Sequence, residues 1–271
     1  MSDAFTKFEH EGWERVADKY DSVWASSTRQ FIPPLLDAAN VAKEMSILDV
    51  GCGPGYVSAA AAEHGAKPIG LDFSAEMIAI AKKMFPRIEF RRGDAQNLPF
   101  ANASFDRVVA NFALLHLANP ARACAEAARV LKSGGRFGFT TWAKISENPF
   151  VKLVDDAIRA HANLDVDLPP GPPHYLFESE EEFRNALARA GFDRASMTFQ
   201  VHRIEWNVPT ARFVFDAELN AGVRTAGLLA RQTPEVLRKV QTAIEKAVQP
   251  YAKGNEFAIP KAAYVVAASK M

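Results

Sequence analysis

The sequence lacks the features that define several protein classes. Cysteine is scarce, with only Cys52 and Cys124 among 271 residues, which excludes a disulfide scaffold and disfavours a cysteine-ligated metal site. No apolar run approaches the ~20 residues that a membrane-spanning helix needs. A secretory signal has a basic stretch followed by an apolar core, and the first residues show no such pattern. These absences predict a cytoplasmic protein without a membrane span.

A net charge is also missing. The 32 Lys and Arg residues balance the 32 Asp and Glu residues, and no internal repeat or low-complexity tract is visible. Proteins that bind a nucleic-acid backbone use an excess of positive charge to recruit phosphates. We therefore expect no nucleic-acid partner and a small-molecule substrate, bound by a chain whose 48% hydrophobic content predicts a well-packed core.

Short apolar runs alternate with alanine-rich helical stretches between residues 46 and 143. This alternation is typical of a parallel sheet covered by helices. The predicted strands cover residues 47–50, 68–71, 88–91, 105–110 and 136–141, and the predicted helices cover residues 57–64, 75–84 and 120–130.

Two further segments flank this unit. Trp13, Val16, Tyr20 and Trp24 recur at helical spacing, which predicts an amphipathic N-terminal helix. We therefore divide one compact domain into an N-terminal helical lid, a cofactor-binding core, and the rest of the sheet with an inserted substrate cap. These parts cover residues 1–40, 41–143 and 144–271. The last part contains a predicted helix at 179–190, a strand at 196–206, helical sequence at 210–251 and a final strand at 263–268.

A glycine-rich loop follows the first predicted strand. Gly51, Gly53 and Gly55 are spaced G-x-G-x-G before a helix begins, and such glycines let bare backbone approach a ligand at a helix N-terminus. A nicotinamide-dinucleotide site would place its third glycine at position 56, which is Tyr56. The spacing therefore disfavours an NAD-linked oxidoreductase and favours a nucleoside ligand without a pyrophosphate. The alternative is an ordinary strand–turn–helix connection.

Two acidic residues follow the next predicted strands. Asp72 ends the second strand and Asp94 follows the third, and ligands of open parallel sheets bind beyond the carboxyl ends of the strands. A carboxylate at Asp72 can accept hydrogen bonds from both hydroxyls of a ribose, and Ser74 is the more natural N-cap of the following helix, which leaves Asp72 free for the ligand. Asp94 can accept a hydrogen bond from an exocyclic amine such as that of adenine. The alternative for Asp94 is a simple Gly-Asp turn.

These motifs together resemble those of a known protein family. Residues 47–55, Asp72, and residues 93–95, 105–109 and 131–135 are similar to the successive motifs of class I S-adenosylmethionine-dependent methyltransferases, in particular the group of the ubiquinone/menaquinone-biosynthesis C-methyltransferases. The resemblance covers roughly a third of the chain. It implies a three-layer, Rossmann-like α/β fold, whose seven-stranded mixed sheet has helices on both faces and an antiparallel last strand, together with a mainly helical cap.

The resemblance also implies S-adenosyl-L-methionine as the cofactor and S-adenosyl-L-homocysteine as the product. The cofactor-binding residues that follow from it, position by position, are Tyr20, Gly51, Cys52, Gly53, Gly55, Asp72, Phe73, Met77, Asp94, Ala95, Asn111 and Phe112. The stretch from Asn111 to Leu114 departs from the Pro-Pro-aromatic motif of enzymes that methylate amino groups of nucleic acids, which further disfavours that branch.

The catalytic candidates are His116 and Tyr20. His116 follows the fourth strand and could act as a general base, or it could be a histidine satisfied by a backbone carbonyl; Tyr20 could close over the methionine carboxylate or simply pack in the core. His174 in a proline-rich loop is a weaker candidate base. No His, Cys, Asp or Glu cluster has metal-ligand spacing, so no metal is expected.

The reaction that we predict is methyl transfer to a small apolar or aromatic acceptor, because aromatic residues are frequent in the predicted cap. Methylation of a protein or an RNA, and a non-catalytic cofactor-binding role, stay open as alternatives. The chain is expected to be a monomer or a homodimer.

Overall fold

The computed structural model describes residues 4–173 and 179–271, and its centre is a single mixed β-sheet. The strands are β1 (Ser46–Val50), β2 (Lys67–Asp72), β3 (Glu89–Arg92), β4 (Phe105–Asn111), β5 (Leu131–Trp142), β6 (Thr198–Val208), β7 (Ala252–Lys253) and β8 (Glu256–Ser269). The helices are α1 (Ala4–Tyr20), α2 (Ser26–Thr28), α3 (Ile32–Ala38), α4 (Tyr56–Glu63), α5 (Ala75–Met84), α6 (Pro120–Val130), α7 (Pro149–His161), α8 (Glu180–Arg189), α9 (Ala211–Ala221), α10 (Arg224–Leu229) and α11 (Pro234–Val248).

The strand order is β3-β2-β1-β4-β5-β8-β6. The first five strands pair in parallel, whereas β8 lies between β5 and β6 and runs antiparallel to both. The predicted seven-stranded mixed sheet with an antiparallel last strand is therefore confirmed. The two-residue strand β7 adds a short hairpin to β8 that the sequence pattern did not predict.

Alternating side chains of the central strands bury both faces of the sheet. On one face Leu48 and Val108 pack with residues of α6 and α8, and on the other face Ile47 and Val109 pack with residues of α3 and α4. This is the three-layer arrangement expected for a parallel sheet whose crossovers are helices. The layers hold the carboxyl ends of β1, β2, β3 and β4 at one edge.

The N-terminal segment, predicted as one lid, divides into two parts. Helix α1 lies on the edge formed by the strand ends, where the carboxylate of Glu14 accepts hydrogen bonds from the backbone N–H groups of Ala75 and Glu76 at the start of α5. A carboxylate at this position is favoured by the partial positive charge of a helix N-terminus. Helix α3, in contrast, belongs to the core, because Leu35 and Leu36 are fully buried against the sheet.

The C-terminal segment adds helices α7 to α11, which we call the cap, to strands β6 and β8 of the sheet. Helices α7, α9 and α11 share a second apolar cluster with Trp206 and Val208 of β6 and Ile259 of β8. The predicted helix at 179–190 is present as α8, and Ser179 caps it by accepting a hydrogen bond from the Glu182 N–H. Within residues 4–173 and 179–271, no helix is both long and apolar enough to cross a bilayer.

Candidate active site

A cavity of about 730 Å³ opens at the carboxyl ends of the parallel strands. Eleven of the twelve predicted cofactor-binding residues line it, together with the predicted base His116. Gly55 does not line the cavity. It is the N-cap of α4 with a φ of 90°, and a Cβ atom there would lie 2.7 Å from the Phe90 ring. Its role is therefore to turn the chain and pack closely.

The glycine loop presents backbone to the cavity. Gly51 has a φ of +66°, and a Cβ atom there would lie 2.4 Å from the Cβ of Ala113, so only glycine fits. Gly53 has a φ of +50°, and no protein atom lies within 4 Å of the position that its Cβ would occupy. The loop thus leaves an open cradle for a ligand beside the start of α4.

Asp72 is buried, and the backbone around it holds its carboxylate. Its Oδ2 accepts a hydrogen bond from the Gly53 N–H at 2.8 Å, and its Oδ1 accepts one from the Ser74 N–H at 2.9 Å. Ser74 is the N-cap of α5, as predicted, because its hydroxyl accepts from the Met77 N–H. Asp72 is therefore not the N-cap of α5, although both of its oxygens already accept a hydrogen bond from the backbone. Since a carboxylate has about four acceptor positions, two remain for ligand hydroxyls.

Burial in the cavity wall raises the pKa of Asp72, although the two backbone N–H groups act in the opposite direction. The carboxylate is thus oriented but incompletely solvated. A ligand that donates two hydrogen bonds would replace the missing water.

Asp94 lies at the next strand end and is exposed. One of its oxygens, Oδ1, accepts from both the backbone and the side-chain amide of Gln96, at 2.8 and 3.2 Å. None of the described residues bonds to the other oxygen. Phe73, Met77 and Ala95 also line the cavity and contribute apolar surface to it.

The end of β4 is strained and tightly held. Phe112 is buried with a φ of +55°, its N–H donates to the Thr140 hydroxyl, and its ring stacks on Trp142 with centroids 4.1 Å apart. The Thr140 hydroxyl donates to Asn111 Oδ1 at 2.6 Å, and Asn111 Nδ2 donates to the Thr28 carbonyl. A left-handed conformation of a bulky residue costs about 1–3 kcal/mol and is concentrated at functional sites.

Tyr20 closes the cavity from the end of α1. Its hydroxyl forms a hydrogen bond of 3.0 Å with Thr28, and its ring contacts Trp13 edge to face. Burial raises the pKa of Tyr20, and nearby Asp72 adds to this effect. The phenol is therefore neutral at physiological pH and suits hydrogen bonding rather than proton abstraction.

His116 is not satisfied by a backbone carbonyl. Its Nδ1 lies 2.9 Å from Oε2 of Glu9, a carboxylate with no exposed surface, and the other Glu9 oxygen accepts a hydrogen bond from Arg224 Nε at 2.7 Å. Trp13 contacts the imidazole edge to face at 4.8 Å. The weaker candidate base His174 lies outside the described residues.

Aromatic rings form another part of the cavity wall. Trp24, Trp142 and Phe150 line it, and directly behind them lies Lys261, which is fully buried. The Lys261 Nζ is 5.1, 4.4 and 4.3 Å from these three ring centroids and 4.5 Å from that of Trp206. Burial lowers the pKa of Lys261 from 10.5 to about 7.

Several residues of this site escaped the sequence analysis. Glu9 and Arg224 are ordinary members of helical patterns, Glu218 is a cavity-lining carboxyl whose pKa is raised by burial, and Lys261 interrupts an otherwise apolar strand. The lysine in the middle of the apolar run of β8 is the one signal that the sequence offered. Among residues 4–173 and 179–271, no group of three or more His, Cys, Asp or Glu side chains is placed to hold a metal ion.

Comparison with known proteins agrees with this geometry. A family model described as a methyltransferase domain matches residues 48–139. A demethylmenaquinone methyltransferase of Renibacterium salmoninarum is 35% identical over 142 residues, which are 51% of this chain and 60% of that protein. One of Clavibacter sepedonicus is 31% identical over 232 residues, 79% of this chain and 84% of that protein. In structure, the YcgJ protein of Bacillus subtilis matches with a TM-score of 0.58 at 19% identity, over 89% of this chain and 98% of that one.

Proposed function

The chain belongs to the S-adenosylmethionine-dependent methyltransferases, and we propose that it transfers a methyl group to a small apolar or aromatic acceptor, releasing S-adenosylhomocysteine. The observation that carries the proposal is a single cavity with two unlike walls. One wall consists of the glycine loop and the strand-end carboxylates, and the other consists of aromatic and aliphatic side chains.

The first wall fits S-adenosylmethionine. Asp72 would accept hydrogen bonds from the ribose hydroxyls, Gly51 and Gly53 would lie along the methionine moiety, and Asp94 would accept from the adenine amine. The open cradle at Gly53 and the two unused acceptor positions of Asp72 support this fit. When bound, the cofactor supplies an activated methyl group on a sulfonium.

The second wall suits an apolar, planar acceptor. Trp24, Trp142 and Phe150 provide ring surfaces, and Val154 and Ile158 of α7 continue the wall. Because this wall presents aromatic rings and aliphatic side chains to the cavity, it favours a neutral, planar acceptor. Relatives named for demethylmenaquinone, a quinone, agree with this preference.

The protein contributes orientation and exclusion of water. Phe112 and Asn111 are fixed by hydrogen bonds at the end of β4, and Tyr20 and Trp13 cover the cavity from α1. Such positioning alone can supply up to ~7–11 kcal/mol of rate acceleration, because the reacting groups no longer need to find each other in solution. Methyl transfer therefore does not require an extensive set of catalytic groups.

The lining charges disfavour an RNA acceptor. Its phosphates would require an excess of basic residues around the cavity. The lining instead contains three arginines and four carboxylates: Arg29, Arg159, Arg224, Asp72, Asp94, Asp155 and Glu218. The cavity also has an aromatic wall in addition to the wall proposed for the cofactor, which supports catalysis over a purely cofactor-binding role.

Calorimetric titration tests the cofactor assignment. We expect the protein to bind S-adenosylhomocysteine and not NADH. Asp72→Ala should weaken binding by at least about 10- to 150-fold, since each lost hydrogen bond to a charged group costs roughly 1.5–3 kcal/mol. Asp37→Ala, at an exposed position of α3, is the matched control and should bind like the wild type. Equal affinity of wild type and Asp72→Ala would refute the assignment.

Transfer of a labelled methyl group tests the acceptor class. Small hydroxylated naphthalenes and hydroquinones should be labelled, whereas total RNA and a denatured protein mixture should not. Labelling of RNA alone would refute a small-molecule acceptor and support methylation of RNA.

A further inference from the structure

Three charged side chains from distant parts of the chain meet at the cavity. Glu9 lies on α1, His116 follows β4, and Arg224 begins α10. Glu9 has no exposed surface, and each of its carboxylate oxygens accepts one hydrogen bond, from His116 Nδ1 and from Arg224 Nε. The Arg224 guanidinium also donates to the carbonyls of Leu115 and Pro172, so it ties the loop after β4 to the cap.

Glu9 is ionised in this arrangement. Burial would raise its pKa, but the neighbouring His116 and Arg224 outweigh burial and lower the pKa below its ordinary value. An ionised carboxylate can only accept hydrogen bonds. The Nδ1 atom of His116 must therefore carry a hydrogen, and in the neutral imidazole the lone pair is on Nε2.

The Nε2 side of the ring is available to a ligand. His116 lines the cavity, and none of the described residues bonds to Nε2. Glu9 of α1 contacts the imidazole, Arg224 of α10 pairs with the same Glu9 carboxylate, and Asp72 at the end of β2 interacts electrostatically with His116. The edge contact with Trp13 fixes the plane of the ring.

We propose that His116 accepts, on Nε2, the hydroxyl proton of the acceptor, and that Glu9 and Arg224 are positioning residues that hold the imidazole in the required tautomer. The inference rests on the proposed function and narrows the acceptor to molecules with an acidic hydroxyl, such as phenols and hydroquinones. A carboxylate that fixes one nitrogen of an imidazole and leaves the other as a base is an arrangement well suited to this task.

The proposed reaction couples proton transfer to His116 with methyl transfer to the acceptor. The acceptor O–H bond breaks and its proton joins Nε2, which leaves the electron pair on the oxygen. That oxygen, or the ring carbon ortho to it, forms the bond to the methyl group as the methyl–sulfur bond breaks and its electrons stay on sulfur. When carbon is methylated, the ring C–H proton moves to the oxygen and restores the hydroxyl. The imidazolium then releases its proton to solvent, so one proton leaves per methyl group transferred.

Nitrogen NMR of protein labelled in histidine tests the tautomer without any acceptor. We expect the neutral form of His116 to carry its hydrogen on Nδ1 in the wild type, both alone and with S-adenosylhomocysteine. In Glu9→Gln the signal should shift toward a mixture of tautomers, because the amide can accept or donate. A hydrogen on Nε2 in the wild-type protein would overturn the inference.

A pair of acceptors tests the base directly at about pH 8. 1-Naphthol keeps its hydroxyl proton at this pH, whereas 4-nitro-1-naphthol is already ionised and needs no base. His116→Gln should lower kcat for 1-naphthol by about 10²–10⁴-fold and that for the nitro compound by less than about 10-fold. S-adenosylhomocysteine should bind with wild-type affinity to this variant. His64→Gln, an exposed histidine at the end of α4, is the matched control.

The outcomes separate the two proposals. An equal loss of kcat for both naphthols in His116→Gln would show that His116 does not act as a base and would overturn the inference, even though methyl transfer itself persists. Failure of the proposed function appears elsewhere, as a wild-type protein that binds no S-adenosylhomocysteine. In Glu9→Gln, kcat for 1-naphthol should fall more than kcat for 4-nitro-1-naphthol, because some of the His116 rings then carry the hydrogen on Nε2 and cannot accept a proton there. Equal effects on the two acceptors would contradict the positioning role of Glu9.

Discussion

The buried lysine of β8 should be a source of instability. Lys261 has no exposed surface, and its ammonium is surrounded by four aromatic rings, with a hydrogen bond of 3.2 Å to the Ser27 hydroxyl. Burial lowers its pKa from 10.5 to about 7, while the carboxyl of Glu218 acts in the opposite direction. We expect the substitution Lys261→Met, which keeps the length of the side chain and removes the charge, to stabilise the protein.

The magnitude follows from the shift in pKa. Lowering the pKa from 10.5 to about 7 corresponds to about 5 kcal/mol of unfavourable free energy for the charged form. Attraction of the ammonium to the rings offsets part of this cost, at roughly 0.5–1 kcal/mol per ring. The net gain for Lys261→Met is therefore about 1–3 kcal/mol, a range known for replacing buried charges by apolar side chains.

The sign of the pH dependence is fixed by proton binding. Below about pH 7 both the folded and the unfolded chain hold the Lys261 proton, so the full penalty is present. Between about pH 7 and 10.5 the unfolded state binds more protons, and the contribution of this group to stability rises with pH. The advantage of Lys261→Met should accordingly be largest near pH 6 and shrink toward pH 10.

Urea unfolding at pH 6, 8 and about 10 measures this effect, with the free energy of unfolding extrapolated to water. Lys43→Met, at an exposed position before β1, is the control and should change stability by less than about 0.5 kcal/mol. The reasoning would be refuted if Lys261→Met were less stable than the wild type at pH 6, or if its advantage were independent of pH.

Three other substitutions test the glycine loop and the far end of the sheet. Gly51→Ala should lose about 1–3 kcal/mol of stability and bind S-adenosylhomocysteine poorly in calorimetry, because its φ is +66° and its Cβ would meet Ala113. Gly134→Ala has a similar φ of +69° with no atom within 4 Å, so it should show the backbone strain alone and normal binding. Asp106, whose pKa is lowered to about 2 chiefly by the hydrogen bond from Lys132, should stabilise the fold above about pH 4 and lose this effect as pH falls toward 2. Asp106→Asn should lower the free energy of unfolding by about 1 kcal/mol above about pH 4 and have little effect near pH 2. An unchanged midpoint of acid unfolding would contradict this expectation.

The sequence predicted the features that are encoded by local spacing. The glycine loop, the carboxylates at the ends of β2 and β3, and the N-cap at Ser74 each follow from residues within a few positions of one another. Strand and helix types were also predictable, because burial on one or both faces imposes a period on the sequence. For most strands the observed ends differ from the predicted ends by one to a few residues. The differences are larger for β5 and β8, because pairing with a neighbour extends a strand beyond its apolar centre.

The contacts between distant segments were not predictable. Glu9 is 107 residues from His116 and 215 from Arg224, and neither spacing is visible in a local pattern. The packing of four rings around Lys261 likewise requires the cap to be folded onto β8. Even at Asp72, where the residue was identified, its two backbone partners became evident only in three dimensions.

The position of β8 has a consequence for the synthesis of the protein. Strand β6 ends at Val208, and its partner β8 begins at Glu256, 48 residues later. At typical rates of translation this interval is about 2–10 s, during which β6 has no neighbour and β5 offers an open edge. Unpaired edges attract other chains, so this interval is when the nascent chain is most exposed to misassociation. We therefore expect the yield of folded protein to depend on the speed at which the ribosome crosses α9, α10 and α11, independently of the final stability.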